Sequence, residues 1–322
     1  MWVQTRMLLL VGVLFGLLYL LVIAVGSAIG AGGILFYGIL AAVMVLVQYL
    51  ISPYVVQWSM RVRWVTEQEQ PQLHAMVSDL AREAKIPKPK VGISSLPVPN
   101  AFAFGRTQGD GRICVTEAIL SLVDREELRA VLGHEISHIK HRDMAVISLL
   151  SLVPMVCYYV AQMLMWSSFA GGRRRGSSGY IVLIGVGALL LYFITNLLVM
   201  YASRLREYYA DEGSVKLGSQ PHYLASALYK LVYGAARIPK EDLKAAEGMK
   251  AFFVTDPSQA FNEFRELKQV DQNHSGSIDQ GELYQLRQGN VRVGTSDKML
   301  ELMSTHPNTL KRMQRLALLA PY

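Results

Sequence analysis

The sequence predicts a mainly helical α+β integral membrane protein, and three observations support this fold class. The 322-residue chain is 52% hydrophobic and only 18% charged, whereas an ordinary soluble domain has roughly 25% charged residues. Its apolar residues are concentrated in long uncharged runs, and the polar stretch between these runs mixes helical with strand-like patterns. A formal net charge of +7 on so apolar a chain favours contact with anionic lipid. We find no nucleic-acid-binding motif and expect no nucleic acid as a partner.

Four uncharged apolar runs have 18 or more residues, which is enough for a helix to cross a hydrocarbon core of about 30 Å. They are Met7–Val25, Ile34–Ile51, Met144–Trp166 and Tyr180–Tyr201. The first pair predicts an N-terminal transmembrane hairpin over residues 1–52, because a second span follows at once and no clear cleavage site is present. Arg6 before this hairpin and Arg61 after it place both of its ends in the cytoplasm by the positive-inside rule.

The second pair of runs, residues 144–201, is harder to place in a membrane. Its connecting loop holds Arg173–Arg175, which would face outward if both runs spanned, against the positive-inside rule. Either this hairpin is shallow or partly buried, or the short loop is tolerated. Two buried helices of a large soluble core are a further alternative. In each arrangement a hairpin returns the chain to the side that it left.

The polar segment from Arg61 to Asp143 predicts a mixed helix and strand region. Apolar residues at helical spacing indicate a helix over Thr66–Lys85. Short strands are predicted at Val91–Ser94, Ala101–Gly105 and Arg112–Thr116. Asp124, followed three residues later by Glu127, forms a capping box that begins a second helix. We expect this helix to run on into the third apolar run, with a kink near Pro154.

This second helix carries the motif HEISH at residues 134–138. Its two histidines are four residues apart, so His134 and His138 lie on one helical face within reach of one metal ion. Glu135 stands beside the first histidine and can act on a water molecule without binding the ion itself. This is the spacing of zinc peptidases, with Glu135 as the general base. A pair of surface histidines beside Lys140 is the alternative.

A catalytic zinc needs a third protein ligand and an open fourth position. Two positions that supply this ligand in other zinc peptidases hold Met144 or fall near Tyr158 in the apolar run. Asp143 is too close along the helix to turn onto the same face. The third ligand must therefore come from farther along the chain.

The first carboxylate after the second hairpin is Glu207, on the side to which a hairpin returns. Topology alone can therefore bring Glu207 to the two histidines. Asp211 lies one turn later on the same face, and it suits an acceptor for the remaining N–H of a ligand histidine. A helix in which both carboxylates pair with Arg204 and Arg206 is the alternative.

Four motifs together resemble those of HtpX-type membrane zinc endopeptidases, which are related to the CAAX prenyl endopeptidases. They are Pro99-Asn100-Ala101-Phe102-Ala103, the HEISH motif, the segment Ser203–Asp211, and Ser304-Thr305-His306-Pro307 with Arg312 beyond it. The resemblance covers most of the chain. Only the HEISH motif would be specific by itself.

This resemblance implies a gluzincin-like fold with one catalytic Zn²⁺. It implies that Glu207 is the third zinc ligand and that Asp211 bonds to a ligand rather than to the ion. It also implies that Asn100, Ala101 and Phe102 border the cleft and pair with the backbone of a substrate.

The same resemblance implies that His306 and Arg312 help to stabilise the oxyanion. From the residues alone, His306 before Pro307 also fits an ordinary helix start. Members of the family degrade or clip membrane proteins in quality control. We therefore expect a multi-pass protein of the plasma membrane that takes part in stress response, with its active site facing the cytoplasm and with membrane proteins as substrates.

A second metal site is predicted at residues 271–282, DQNHSGSIDQGE, which follow the EF-hand calcium loop position by position. The predicted Ca²⁺ ligands are Asp271, Asn273, Ser275, the backbone carbonyl of Ser277, Asp279 and the bidentate Glu282. Gly276 permits the sharp turn at the sixth place, and Ile278 points to the core. Serine at the fifth place departs from the strict pattern and would weaken the affinity. A polar helix–turn–helix without an ion is the alternative.

The resembled family does not ordinarily carry this loop, so residues 258–290 are interpreted as an EF-hand-like insert. It divides the zinc peptidase domain, residues 53–257 with the hairpin inside it, from its C-terminal part, residues 291–322. Two hypotheses follow: Ca²⁺ orders the insert and tunes access to the zinc cleft, or it is a static clip that only adds stability. A single hand lacks its usual partner, so the ion would bind weakly or pair two protomers. The oligomeric state stays open.

The sequence thus predicts a membrane-embedded zinc endopeptidase that cleaves misfolded or specific membrane proteins on the cytosolic side, with calcium modulation as an added hypothesis. The alternative is a calcium-responsive membrane scaffold or chaperone whose zinc is structural. Glu135 argues against this alternative, because a structural zinc has no use for a carboxylate beside its ligand. Structural sites also tend to be filled by Cys and His. A transporter has thin support, since its spans would need intramembrane charges or broken helices.

Overall fold

The computed structural model describes residues 51–170, 178–239, 252–257, 259–288 and 301–320, and six single positions before residue 51. Within these ranges, nothing is described of the side chains of 166–170 and 178. The N-terminal hairpin therefore lies almost entirely outside the described residues, as do Arg173–Arg175 and the start of the predicted segment 291–322. The chain divides into two compact units, described in turn below.

The described strands and helices are numbered in chain order. The strands are β1 (Val62–Trp64), β2 (Lys90–Ser94), β3 (Ala101–Phe104) and β4 (Arg112–Thr116). The helices are α1 (Pro71–Ala84), α2 (Glu117–Leu122), α3 (Arg125–His141), α4 (Asp143–Leu150), α5 (Leu152–Ala170), α6 (Ser178–Lys216), α7 (Pro221–Ala236), α8 (Ala260–Leu267), α9 (Gln280–Arg287) and α10 (Thr309–Leu319). A short 3₁₀ turn covers Gln108–Asp110, where the sequence indicates a turn.

The larger unit consists of residues 52–144 and 206–322. Its sheet has the strand order β1-β2-β4-β3, with β2 and β4 parallel and the other two pairs antiparallel. Among the described strands, β3 therefore lies at one edge. The three predicted strands are confirmed to within a residue at each end. β1 was missed because three residues are too few to show an alternating pattern.

Helix α3 begins where the sequence predicts, with both hydrogen bonds of the Asp124–Glu127 capping box in place. The expectation that it runs on into the apolar segment is wrong. It ends at His141, because Arg142 takes a left-handed conformation with φ of 56°. A further break falls at Ser151, between α4 and α5. Pro154 explains this second break, since its ring clashes with the carbonyl four residues earlier.

The last turns of α6 pack against α3 at an unusually close approach. A Cβ atom on Gly213 would lie 2.1 Å from Oγ of Ser137, and one on Gly133 would lie 3.1 Å from Oγ of Ser214. The Ser214 hydroxyl donates a hydrogen bond to the carbonyl of Ala130 at 2.6 Å. The two glycines thus permit the contact between the helix that carries HEISH and the helix that carries Glu207.

The smaller unit consists of residues 1–51 and 145–205. The residues packed in its interior are Leu150, Val153, Cys157, Ala161, Ala188, Val199 and Ala202. Large apolar side chains point outward from α6, among them Leu183, which is 67% exposed. Among the described residues, two helical stretches are long and apolar enough to cross a membrane, Asp143–Met165 and Gly179–Lys216. They cover both apolar runs of the predicted second hairpin except Trp166, the last residue of the first run.

Candidate metal centre

Two histidines of α3 and one glutamate of α6 converge in the larger unit. The Nε2 atoms of His134 and His138 are 3.1 Å apart. Glu207 places Oε2 at 3.5 Å from Nε2 of His134 and Oε1 at 3.5 Å from Nε2 of His138. Within the described part of the chain, this is the one group of three metal-binding side chains whose ligand atoms lie within 4.8 Å of one another.

The unsatisfied polar atoms around this group test whether a cation fits. Oε2 of Glu207 and both ring nitrogens of His306 are buried, and none has a hydrogen-bond partner among the described residues. Burying such atoms costs free energy that a bound cation would offset. Two imidazole nitrogens and one carboxylate oxygen are also the donor set of many catalytic zinc sites. The residues present therefore fit Zn²⁺.

Each histidine has a carboxylate beside its other ring nitrogen. Nδ1 of His134 lies 2.9 Å from Oδ1 of Asp211. Nδ1 of His138 lies 2.7 Å from Oδ2 of Asp143, which also pairs with Arg206. A carboxylate that accepts the Nδ1–H hydrogen bond fixes the tautomer whose Nε2 lone pair is free for a metal. The sequence predicts Asp211 as such an acceptor. It excludes Asp143 as a metal ligand but does not indicate it as an acceptor, because the turn at Arg142 leaves no mark in the sequence.

Burial and neighbouring charges shift the pKa values of the histidines and of Glu135 in different directions. Burial alone would lower the pKa of His134, but Asp211 and Glu207 raise it to about 9. Burial and the neighbouring His134 lower the pKa of His138. Burial raises the pKa of Glu135 above its ordinary value, against the effect of the two histidines. A metal must therefore compete with a proton on His134, and Glu135 is shifted toward the range of a general base.

Arg312 of α10 is fully buried behind the ligands, with 0% exposure. Its Nε and Nη2 donate to the two carboxylate oxygens of Asp211 at 2.9 and 2.7 Å. Its Nη1 donates to the carbonyl of Val254 at 2.5 Å and lies 3.4 Å from Oε2 of Glu207. Although burial opposes it, Asp211 and Glu207 raise the pKa of Arg312 above its ordinary value. The guanidinium therefore stays charged and holds both carboxylates.

His306 lies just before α10, beside the third candidate ligand. Its Nδ1 atom is 3.5 Å from Oε2 of Glu207. Its backbone N–H donates to the hydroxyl of Ser304, which in turn bonds to Asp256. The structure thus brings His306 to the centre.

The segment that carries Asn100, Ala101 and Phe102 leads into β3, and all three residues are buried. The side-chain amide of Asn100 is hydrogen-bonded within the protein. It donates to the carbonyl of Phe252 at 2.7 Å and accepts from the N–H of Val254 at 2.9 Å. The backbone of Asn100 is also bonded within the protein, because its N–H donates to Oγ1 of Thr116 and its carbonyl accepts from the N–H of Thr116, both at 2.8 Å.

The edge strand β3 also approaches Glu135, the predicted general base. The backbone of Ala103 lies near the carboxylate of Glu135 and favours its charged form, which opposes the rise of its pKa by burial. The carbonyl of Val254, held in place by Asn100, is the one that binds Arg312. The segment 252–257 is thus part of the site, which no sequence signal indicated.

The loop at residues 271–282 connects α8 and α9, as an EF-hand loop would. Its glycine, Gly276, has a φ of 77°. Asp271 accepts hydrogen bonds from the N–H groups of Ser275 and Gly276 at 2.9 and 3.0 Å. Glu282 accepts from Gln272 and from the N–H of Asp279. In this conformation the carboxylates bond to the loop's own backbone.

This loop is joined by hydrogen bonds to α7 and through it to α3. The N–H of Ile278 donates to Oγ of Ser226 at 3.1 Å. Ser226 donates in turn to Oε1 of Glu127 at 2.6 Å, and Glu127 belongs to the capping box of α3. The hydroxyl of Tyr229 donates to Oδ2 of Asp271 at 3.1 Å. The predicted calcium loop and the HEISH helix therefore share one hydrogen-bonded chain.

Known proteins are similar to this chain over most of its length. Residues 67–320 match the family model described as peptidase family M48. A protease HtpX homolog of Methanothermobacter thermautotrophicus is 56% identical over 229 residues, which cover 71% of this chain and 85% of that protein. A protease HtpX homolog of Pyrococcus abyssi is 33% identical over 322 residues, with 99% of this chain and 96% of that protein covered.

One solved structure shares the fold at low sequence identity. The crystal structure of S. mikatae Ste24p aligns with a TM-score of 0.53 and 16% identity. The alignment covers 97% of this chain and 64% of that chain, so this chain spans less than two thirds of the length of Ste24p.

Proposed function

Because the chain belongs to peptidase family M48, and within it to the HtpX-type membrane metalloproteases, we propose that it is a zinc-dependent endopeptidase of membrane protein quality control. Its substrates would be misfolded or specific membrane proteins, cut on the cytosolic side of the plasma membrane by a multi-pass enzyme. The observation that carries the proposal is the convergence of His134, His138 and Glu207 beside the buried carboxylate of Glu135.

The two histidines and Glu207 would hold the ion and leave one position open. When bound, Zn²⁺ supplies a Lewis acid that polarises the scissile carbonyl and lowers the pKa of water to about 7. Glu135 takes the proton of the attacking water and later passes it to the leaving amine. Its raised pKa suits both tasks, because a base that must also return the proton works best near the operating pH.

His306 and Arg312 have different roles near the negative charge that develops on the oxyanion. His306 is assigned to the oxyanion, since its ring nitrogens are buried at the centre and have no hydrogen-bond partner among the described residues. Arg312 is assigned a narrower role, because its donors already bind Asp211 and the carbonyl of Val254. It keeps the carboxylates of Asp211 and Glu207 in place and adds positive charge behind them.

The substrate would lie along β3. An extended peptide can add a strand to an exposed sheet edge, where main-chain hydrogen bonds provide the affinity. β3 is an edge among the described strands, and its Ala103 backbone reaches Glu135. A peptide paired there would pass beside the general base. This position supports the proposal that a substrate binds along the segment of Asn100, Ala101 and Phe102.

The test is cleavage of an unfolded test protein by detergent-purified wild type and Glu135→Gln, each with zinc and with a chelator. Glu126→Gln is the matched control, because Glu126 is an exposed carboxylate of the same helix. We expect cleavage by wild type and Glu126→Gln only, lost on chelation, with equal zinc content in all three. Equal cleavage by Glu135→Gln would reject the mechanism. Zinc retention without any cleavage would favour the scaffold or chaperone function.

Calcium modulation is a further part of the proposal, supported by the EF-hand pattern and by the contact of its loop with α7. Ca²⁺ would bind Asp271, Asp279 and Glu282 with the loop's other ligands, and the Ser226–Glu127 chain would carry the effect to α3. Binding requires Glu282 to give up its backbone hydrogen bonds, so the affinity would be modest.

This part is tested by the melting temperature and the cleavage rate of wild type and Glu282→Gln over a range of Ca²⁺ concentrations. The control is again Glu126→Gln, which removes one carboxylate outside the loop. A response of wild type and control that is absent in Glu282→Gln supports a calcium site. A change in stability alone indicates a static clip. No response of either quantity in wild type removes calcium from the proposal.

A further inference from the structure

A buried glutamate of the insert, Glu263 on α8, has no place in the mechanism above. Its side chain is 5% exposed and reaches the first residue of α10. The hydroxyl of Thr309 donates to Oε2 of Glu263 at 2.6 Å, and the N–H of Thr309 lies 3.4 Å from Oε1. One carboxylate therefore receives both donors of the residue with which α10 begins.

The start of α10 needs such a partner. The first N–H groups of a helix have no acceptor inside the helix, and a negative charge there is favoured by the helix dipole. Asn308 accepts the N–H of Leu310 at 2.9 Å, and its amide donates to Glu266 of α8 at 3.2 Å. Helix α8 thus holds the start of α10 at two adjacent residues.

The capped turn lies between two residues of the metal centre. His306 comes three residues before Thr309, and Arg312 comes three residues after it, one helical turn away. His306 reaches Glu207 at 3.5 Å and Arg312 reaches it at 3.4 Å. A shift of the first turn of α10 would therefore move both contacts with the same ligand.

We propose that Glu263 is a positioning residue of the metal centre. By holding Thr309 it fixes the first turn of α10. That turn sets where His306 and Arg312 stand beside Glu207. Helix α8, which leads into the predicted calcium loop, thus stabilises the metal centre whether or not the loop binds an ion.

The inference rests on the proposed peptidase function for its effect on catalysis, but its structural part can be measured without catalysis. The full chain in detergent is compared as wild type, Glu263→Ala, Glu263→Gln and Thr309→Val. Leu73→Ala on α1 is the control for a loss of stability elsewhere in the unit, because Leu73 is a buried core residue of another helix. Hydrogen exchange over residues 304–312, zinc content at saturating zinc, kcat and KM are measured for each.

We expect Glu263→Ala and Thr309→Val to speed exchange over residues 304–312 by about tenfold or more, without the same change in α3. We expect kcat to fall by about 10- to 100-fold at full zinc occupancy, with KM changed by less than about threefold, as for a misplaced catalytic group. Glu263→Gln should recover most of the rate, because its amide oxygen can still accept from Thr309.

The proposal is wrong if Glu263→Ala changes exchange over residues 304–312 no more than Leu73→Ala does at an equal loss of melting temperature. It is also wrong if exchange rises but kcat falls no more than in that control. If wild type cleaves nothing, the peptidase proposal fails, and the exchange result still decides whether Glu263 holds this segment.

Discussion

Nδ1 of His138 lies 2.7 Å from Oδ2 of Asp143, across the left-handed residue that separates α3 from α4. The two residues are five apart, so a continuous helix would place them on different faces. Because Arg142 breaks the helix, the carboxylate turns back toward the imidazole. Asp143 thus lies beside Nδ1 of His138, as Asp211 lies beside Nδ1 of His134. Each candidate histidine ligand is oriented by a carboxylate at its other ring nitrogen.

Asp143→Ala is expected to weaken zinc binding by about 10- to 100-fold, because the His138 ring loses the acceptor that fixes its tautomer. Lys140→Ala is the control, since Lys140 is exposed and three residues away on the same stretch of chain. Competition with a chromogenic zinc chelator measures both affinities. An unchanged affinity in Asp143→Ala would show that the contact does not support the metal.

Gly213→Ala is expected to destabilise the larger unit and to disturb the metal centre. The added Cβ would lie 2.1 Å from Oγ of Ser137, so α3 and α6 must separate at the point that sets the position of Glu207. Overpacking of this kind costs about 1–3 kcal/mol. Gly187→Ala is the matched control on the same helix, since a Cβ there meets nothing within 4 Å.

Melting temperature and zinc content report the two effects of Gly213→Ala. Equal values for the two glycine variants would contradict the close approach. Ser137→Gly combined with Gly213→Ala should recover part of the loss, because it removes the side chain that the new methyl group meets.

The stability of the protein should depend on pH through Glu263. Burial raises the pKa of Glu263 to about 7, helped by the charge of Asp256 and opposed by the Thr309 hydrogen bonds and by Arg312. Between its usual pKa of 4.5 and about 7, the folded protein keeps a proton that the unfolded chain releases. This contribution to stability is complete below pH 4.5 and is lost as the pH rises through 7.

Glu263→Gln cannot ionise, so it should not lose stability in this window. The difference in unfolding free energy between Glu263→Gln and wild type should therefore grow from pH 5 to pH 8, by at most about 3 kcal/mol. Denaturant titrations at several pH values in one detergent measure it. A difference that stays constant with pH would show that the Glu263 carboxyl titrates at its usual pKa.

Ser226→Ala should separate the predicted calcium loop from α3. It removes the hydroxyl that accepts from Ile278 and donates to Glu127, which leaves two buried groups without that partner and costs about 1–2 kcal/mol. Ser219→Ala is the control, because the buried Ser219 hydroxyl has no hydrogen-bond partner within the described ranges.

Melting temperatures of the two serine variants, with and without Ca²⁺, measure this effect. Ser226→Ala should lower the melting temperature in both conditions and should lose any effect of Ca²⁺ on the cleavage rate. The same result for Ser219→Ala would show that the loss does not depend on the bridging hydroxyl.

The parts of the site that depend on local rules could be predicted from the sequence. The spacing of HEISH places two histidines on one face of α3, and the capping box marks where that helix begins. Topology alone allows Glu207 to reach these histidines, and the family resemblance implies that it is the third ligand. For the two histidines and the helix start, one short-range regularity of the chain was enough.

The other contacts depend on conformations or on long-range pairs that leave no local mark. The turn to Asp143 needs Arg142 in the left-handed region, which glycine or asparagine usually occupies. Glu263 meets Thr309 across 46 positions of the sequence, so only the packing of α8 on α10 reveals the contact. The role of Asn100 was also out of reach, because its partner segment, 252–257, carries no motif of its own.

The proposed pairing of a substrate with β3 has a consequence for what the protein could select. Binding through main-chain hydrogen bonds would distinguish an extended polypeptide from a folded one, and it would depend little on which side chains the bound peptide carries. Selection would then depend on whether a stretch of a protein has come loose, so that damage itself would be the recognition signal. Such an enzyme would need no cleavage motif in its targets, and a folded neighbour would be spared because it has no free strand to offer.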